Sequence, residues 1–132
     1  MISVYAEYGV VVKECGTEQF QYKTIEIKGH ADNLEGTKGI KCCAGVSAII
    51  IGFADTLETS NGYSYKFDNG LFTLINSESN MSDKQLNHYI NLVLCQLYAV
   101  YQIYPQFFSK FETKQLFIKK GNKIEWKTKT IQ

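Results

Sequence analysis

Arginine is absent from this 132-residue chain, and fourteen lysines supply all of its permanent positive charge. Arginine's planar fork is the usual bidentate reader of phosphate and of guanine, so base-specific recognition of DNA is disfavoured. Net charge is also scarce, at +1 with 20% charged residues, so no global field selects nucleic acid or an anionic membrane. Long hydrophobic runs are missing. The best, residues 44–54, is interrupted by Gly45, Ser47 and Gly52, and no bilayer-spanning helix is expected. The opening MISVYAEYGVVVKECG lacks the basic start and continuous apolar stretch of a signal peptide. A soluble cytoplasmic protein without membrane contact is therefore expected, with Cys15, Cys42, Cys43 and Cys95 reduced. The cysteines form no CxxC pair and neither histidine lies near one, so no metal site and no cofactor is expected. What is present is a 45% apolar composition in one domain's length of chain. Such a chain buries roughly two-thirds of its unfolded surface.

Residues 2–13 alternate apolar and polar and read as a half-buried strand, bent at Gly9. Residues 20–28 form a second strand, joined to the first by a hairpin. Its apolar phase shifts between Phe20/Tyr22 and Ile25/Ile27, which predicts a bulge. The glycine-rich stretch 29–41 reads as a mobile loop. A helix follows over 42–58, apolar nearly all round and so expected to be buried on most faces. Tyr63, Tyr65 and Phe67 then alternate with polar residues up to Asn69-Gly70, a two-residue hairpin signal. Through that turn Phe67 faces Phe72 and Tyr65 faces Leu74. Ser82-Asp83-Lys84-Gln85 reads as a capping box opening a helix that Pro105 stops near Tyr104. Gly121-Asn122 marks a last hairpin between 116–120 and 123–128. The order β-β-α-β-β-α predicts an α+β fold, two helices on a four-stranded sheet, with a C-terminal hairpin extension.

Chemistry concentrates around Cys43. It falls where a helix is expected to start, and unpaired N–H groups with the helix dipole favour an anion there. Thiol pKa values can fall to roughly 3.5–7.5 in such positions. Ser47 lies four residues on, so its hydroxyl shares a face with Cys43, whereas the same step from Cys42 reaches Val46, which offers no hydrogen bond. His30 ends the second strand and could take the thiol proton and return it to a leaving amine. On residue types alone, a cysteine in an apolar helix reads as a small core residue and a lone histidine after a strand as a turn residue, so the pair by itself is a weak signal. His88, Cys15 and Cys95 read as packing or surface residues.

The run Gly29-His30-Ala31, a glycine-containing loop, and Cys43-Ala44-Gly45-Val46-Ser47 resembles the ribosomal-processing cysteine proteases, the Prp family. The resemblance covers residues 1–105 and divides the chain into a protease domain, 1–109, and a basic extension of the same domain, 110–132. It implies a homodimer with Cys43 as nucleophile, His30 as base, and Ser47, Gly29 and Cys42 in support. The loop containing Asp32, Glu35, Gly36 and Gly39 would gate the site. The implied substrate is the N-terminal extension of a large-subunit ribosomal protein, cut beside aromatic residues, or a phage structural protein processed the same way. The family carries Asp-Ile-Val before the cysteine, and here Ile40-Lys41 precede the pair Cys42-Cys43 with no aspartate. The His30-to-Cys43 interval is also one residue longer than the family's common spacing, which Cys42 would restore. Asp32 and Glu35 are the candidate replacements for the missing carboxylate. A non-catalytic, dimeric peptide-binding relative is the alternative reading.

The broad apolar face of 86–104, with Tyr89, Leu92, Leu94, Tyr98 and Tyr101, argues for a dimer by burial. Residues 110–132 hold seven lysines against Glu112 and Glu125, while the rest of the chain holds seven against eleven acids. The bland reading is a solvated hairpin at a sheet edge, where lysines deter aggregation. The sharper one is contact with RNA, with Phe117 and Trp126 as stacking groups.

Overall fold

The computed structural model describes residues 1–30, 37–58, 64–68, 70–75, 84–121 and 123–131. Two long strands, β1 (Ile2–Val12) and β2 (Glu18–Lys28), pair as a hairpin; β2 leads to α1 (Lys38–Glu58). A short hairpin, β3 (Ser64–Asp68) and β4 (Leu71–Ile75), precedes α2 (Lys84–Ile103). A 3-10 turn at Pro105–Phe107 then feeds β5 (Phe108–Lys120) and β6 (Lys123–Ile131). The six strands form one sheet in the order β3-β4-β2-β1-β5-β6. Every neighbour is antiparallel except β1 and β5, which run parallel. The expected four-stranded sheet is thus extended: the C-terminal hairpin zips along β1 and belongs to the same sheet.

The bulge anticipated in β2 is present. Glu7 pairs with Thr24 and Tyr8 with Tyr22, so Lys23 is the extra residue. Tyr22 and Ile25, three apart, therefore both point into the core. β1 bends at the expected glycine for a visible reason. A Cβ on Gly9 would lie 2.6 and 2.7 Å from the Cε atoms of Phe117, so the ring needs a glycine beneath it. Phe117 is itself buried, which removes it as a platform for stacking RNA bases.

Helix α1 begins at Lys38, so Gly39, Ile40 and Lys41 are helical and not loop. Unbroken through Gly45, Ser47 and Gly52, it is also long and apolar enough, by length and composition, to cross a membrane. Its length escapes a reading that stops at each small residue. One stripe only is buried, Cys42, Val46, Ile50, Phe53 and Leu57, while Ile40 and Ile51 are 68% and 49% exposed. The expectation of burial on most faces is corrected to a single face, packed with α2 on the sheet side carrying Ile2, Val4, Ala6, Ile25 and Ile27. Phe53 meets Phe72 of β4 at 5.5 Å between ring centroids.

The aromatic hairpin has the anticipated register, Phe67 opposite Phe72 and Tyr65 opposite Leu74. Tyr65 and Phe67 both rest on Phe72, at 5.8 and 6.1 Å. Of the capping box, Ser82 and Asp83 lie outside the described residues, and Gln85 donates to Tyr89 Oη at 2.6 Å instead of turning back to the helix start. Part of the apolar surface of α2 is used internally. Leu94 is buried, and Tyr98 and Tyr101 pack on Phe108 and Phe111 of β5.

Candidate active site

Glycine at position 29 is dictated by the backbone. It takes φ +93°, and a Cβ there would collide with the Met1 carbonyl. The residue swings the chain out of β2, and its N–H donates to the Gly70 carbonyl at 2.7 Å, tying the strand end to the β3–β4 turn. Gly70 takes φ +74° and lies under the His30 ring: a Cβ on it would sit 2.5 Å from His30 Nε2. Two glycines therefore set His30 over the β3–β4 turn, facing α1.

Cys43 comes from the opposite wall. It is the sixth residue of α1, a turn and a half inside the helix. Its amide is spent on the helical ladder, and the helix-terminus field fades within the first turn. The expectation that the helix start activates this thiol is corrected by that geometry. Cys43, Ser47 and His30 all line one cavity of about 170 Å³, with Gly29, Asp68 and Gly70 at its polar side and Ile51, Phe67, Leu71 and Phe72 among its apolar wall.

Cys42 points the other way. It is fully buried in the core beneath α1, and burial, then the adjacent Cys43, pushes its thiol above the ordinary range. Asp32, Glu35 and Gly36 lie outside the described residues. Gly39 is buried in the first turn of α1 and does not line the cavity. Asp68 does line it, and sequence reasoning missed that residue. The only available signal was its place one step before the Asn-Gly turn, and nothing in the sequence says that this turn faces His30.

A larger groove of about 380 Å³ runs between α1 and α2, walled by Ala48, Gly52, Phe53, Tyr89, Leu92 and Gln96. Among the described residues that line it there is no thiol, imidazole or carboxylate; its hydroxyls are those of Tyr89 and of Thr56, which donates to the Gly52 carbonyl at 2.9 Å. Cys15 and Cys95 are exposed and far along the chain from any histidine, apart from His88 on the helix of Cys95.

The fold has known counterparts. The S. aureus essential ribosomal processing protease Prp, in complex with a covalently linked product peptide, matches with a TM-score of 0.59 and 19% identity over 83% of this chain and 99% of that one. The same protease with a substrate peptide gives 0.57 and 21%, over 86% and 100%. SMU.848 from Streptococcus mutans gives 0.57 and 20%, over 89% and 95%. No curated protein sequence matches. At these identities the structures speak for the fold alone. The sequence profile of the cysteine protease Prp family matches residues 10–109, about three-quarters of the chain, and that stretch contains Gly29, His30, Cys43 and Ser47. On that match, the chain belongs to the cysteine protease Prp family.

Proposed function

We propose that the chain is a cysteine endopeptidase that removes the N-terminal extension of a large-subunit ribosomal protein, with Cys43 as nucleophile and His30 as general acid–base. The observation that carries this reading is that Cys43, His30 and Ser47 line the same cavity. Cys43 Sγ passes its proton to His30 and attacks the scissile carbonyl carbon, forming a C–S bond. As the tetrahedral adduct collapses, the C–N bond breaks and His30 protonates the leaving amine. Water, losing a proton to His30, then cleaves the thioester and restores the thiol. Ser47, one turn along from Cys43, hydrogen-bonds the sulfur.

His30 takes its orienting carboxylate from Asp68 on β3, in place of the aspartate missing before the cysteines. The cavity is smaller than the roughly 300–1,000 Å³ of typical ligand pockets. It therefore holds one or two substrate side chains, and its phenylalanine wall suits the aromatic residue that flanks the cut. Residues 1–109 form the protease domain and 110–132 an extension of it, a division supported by the end of the family match and by β5 running along all of β1. The working form is a homodimer in the cytoplasm. Leu92 and Ile103 remain 58% and 68% exposed on α2, as an apolar contact surface requires.

Mass spectrometry of a cleavage reaction tests the reading. The extended N-terminal peptide of the host's ribosomal protein is incubated with the wild type, Cys42→Ser and Cys43→Ser. A cut that survives Cys42→Ser and disappears in Cys43→Ser is expected. A peptide that binds but stays intact with every protein sinks the catalytic assignment in favour of a binding module.

A further inference from the structure

Helix α1 has a cavity on each of its two flanks. Cys43, Ser47 and Ile51 line the first, against β3 and β4. Ala48, Gly52 and Phe53 line the second, the groove of about 380 Å³ shared with α2. Ser47 and Ala48 are neighbours in the chain, as are Ile51 and Gly52, and all four are exposed. The crest of α1 between the cavities is therefore open to solvent, and the groove borders the active-site cavity across it. No charged residue lies between Lys41 and Asp55, so an apolar surface runs over the crest.

Gly52 stands in the middle of this surface without an internal reason. Glycine is a poor residue in a helix interior. A Cβ at this position would meet nothing within 4 Å, and the backbone is ordinary helix, so neither packing nor dihedral angle calls for it. Its effect is to keep the α1 wall of the groove low. The active-site cavity, at about 170 Å³, holds only one or two substrate side chains. An endopeptidase cuts within a chain, so residues further from the cut must lie on the surface around the cavity. A helix is about 10 Å across and an extended chain advances about 3.3 Å per residue, so about three residues carry a chain over the crest and into the groove.

We propose that the substrate polypeptide, seated at Cys43, crosses α1 over Ala48 and lays an apolar stretch, about three or more residues from the cut, in the α1–α2 groove. Phe53 and Tyr89 receive its apolar side chains, and the Gln96 amide is placed to bond its main chain. This deepens the protease reading and rests on it. Leu92, on the α2 wall, is 58% exposed and shared with the apolar surface assigned to the dimer, so a second copy is the competing occupant. Continuity with the Cys43 cavity favours the substrate.

Gly52→Leu fills the groove and improves the helix, so the variant should melt no lower than the wild type. Two forms of the ribosomal-protein peptide are compared, one with about eight residues on each side of the cut and one with about two, too few to reach the groove. Mass spectrometry should give the long peptide at least a tenfold higher kcat/KM in the wild type, and Gly52→Leu should erase most of that preference. No preference in the wild type, or the same preference in both proteins, would overturn the proposal and leave the protease reading intact. If the wild type cuts neither peptide, the protease reading fails, and calorimetry of the long peptide on Cys43→Ser decides the groove separately. At least tenfold weaker binding on adding Gly52→Leu supports it there; equal binding, or none, overturns it. Sedimentation velocity is run on the same proteins, and a dimer lost in Gly52→Leu would give the groove to a second copy and overturn the proposal as well.

Discussion

Gly70→Ala separates the placing of His30 from mere stability. A Cβ at this position lies 2.5 Å from His30 Nε2 and 3.1 Å from Cε1, against an ordinary contact of 3.4 Å or more. The ring must retreat by about 0.9 Å, and a misplacement of about 1 Å in catalytic machinery costs on the order of a hundredfold. That is about 2.7 kcal/mol of transition-state stabilisation, read as kcat/KM on the ribosomal-protein peptide. Alanine at φ +74° adds backbone strain of about 1–2 kcal/mol, partly offset by about 0.4–1 kcal/mol from a stiffer unfolded chain. Gly121→Ala is the matched control. Its φ is +59° and nothing lies within 4 Å of the new Cβ, so it carries the strain without the contact. Both variants should melt a few degrees lower, and only Gly70→Ala should lose activity. Equal kcat/KM for the two, at either level, would refute the placement of His30 over this turn.

Asp68→Asn should lower kcat/KM at least tenfold and shift its pH profile, with partial rescue by Asp68→Glu, whereas a structural role would leave the profile in place. Iodoacetamide on the native chain should modify Cys43 and spare Cys42, whose thiol is buried and held above its usual range, until denaturant is added; peptide mapping reads the order. Gly9→Ala should destabilise by about 1–3 kcal/mol in urea unfolding, and Phe117→Leu in the same chain should recover much of that loss. Burial, then the charges of Cys95 and Tyr8, pushes the Tyr22 phenol to about 12, and burial, then Glu7, does the same for Tyr5. The folded state thus holds these protons more tightly than the unfolded chain. The stability they contribute is complete below pH about 10 and lost as pH climbs toward 12. Urea midpoints falling across that interval, together with late phenolate absorbance, check it.

Local patterns were legible where the chain keeps its period. The Asn-Gly turn fixed the β3–β4 register because alternation is intact on both sides. The first half of β5 escaped notice because Ser109 is an extra residue opposite the Ile2/Ser3 step. Phe108 and Phe111 both meet Tyr101 on the core side at a spacing of three, which does not read as a strand. The start of α1 was hidden by Gly39, a poor helix former that packs in the first turn. At the site, the Cys43–Ser47 and Gly29–His30 pairs could be read because each is local. Asp68 could not, since its place depends on β4 docking beside β2, a contact with no local signature.

The pairing of β1 with β5 also dictates an order of assembly. Ile2 meets Phe108, so the edge of the first strand is closed by residues made more than a hundred positions later. Until then β1 presents eleven residues of unpaired backbone on one side. Contacts so distant in sequence slow folding and prolong the exposure of that edge. On a translating ribosome the nascent chain therefore carries a sticky strand until β5 has been made. A copy truncated at 109 would carry it permanently, and chaperone binding or self-association would be its fate.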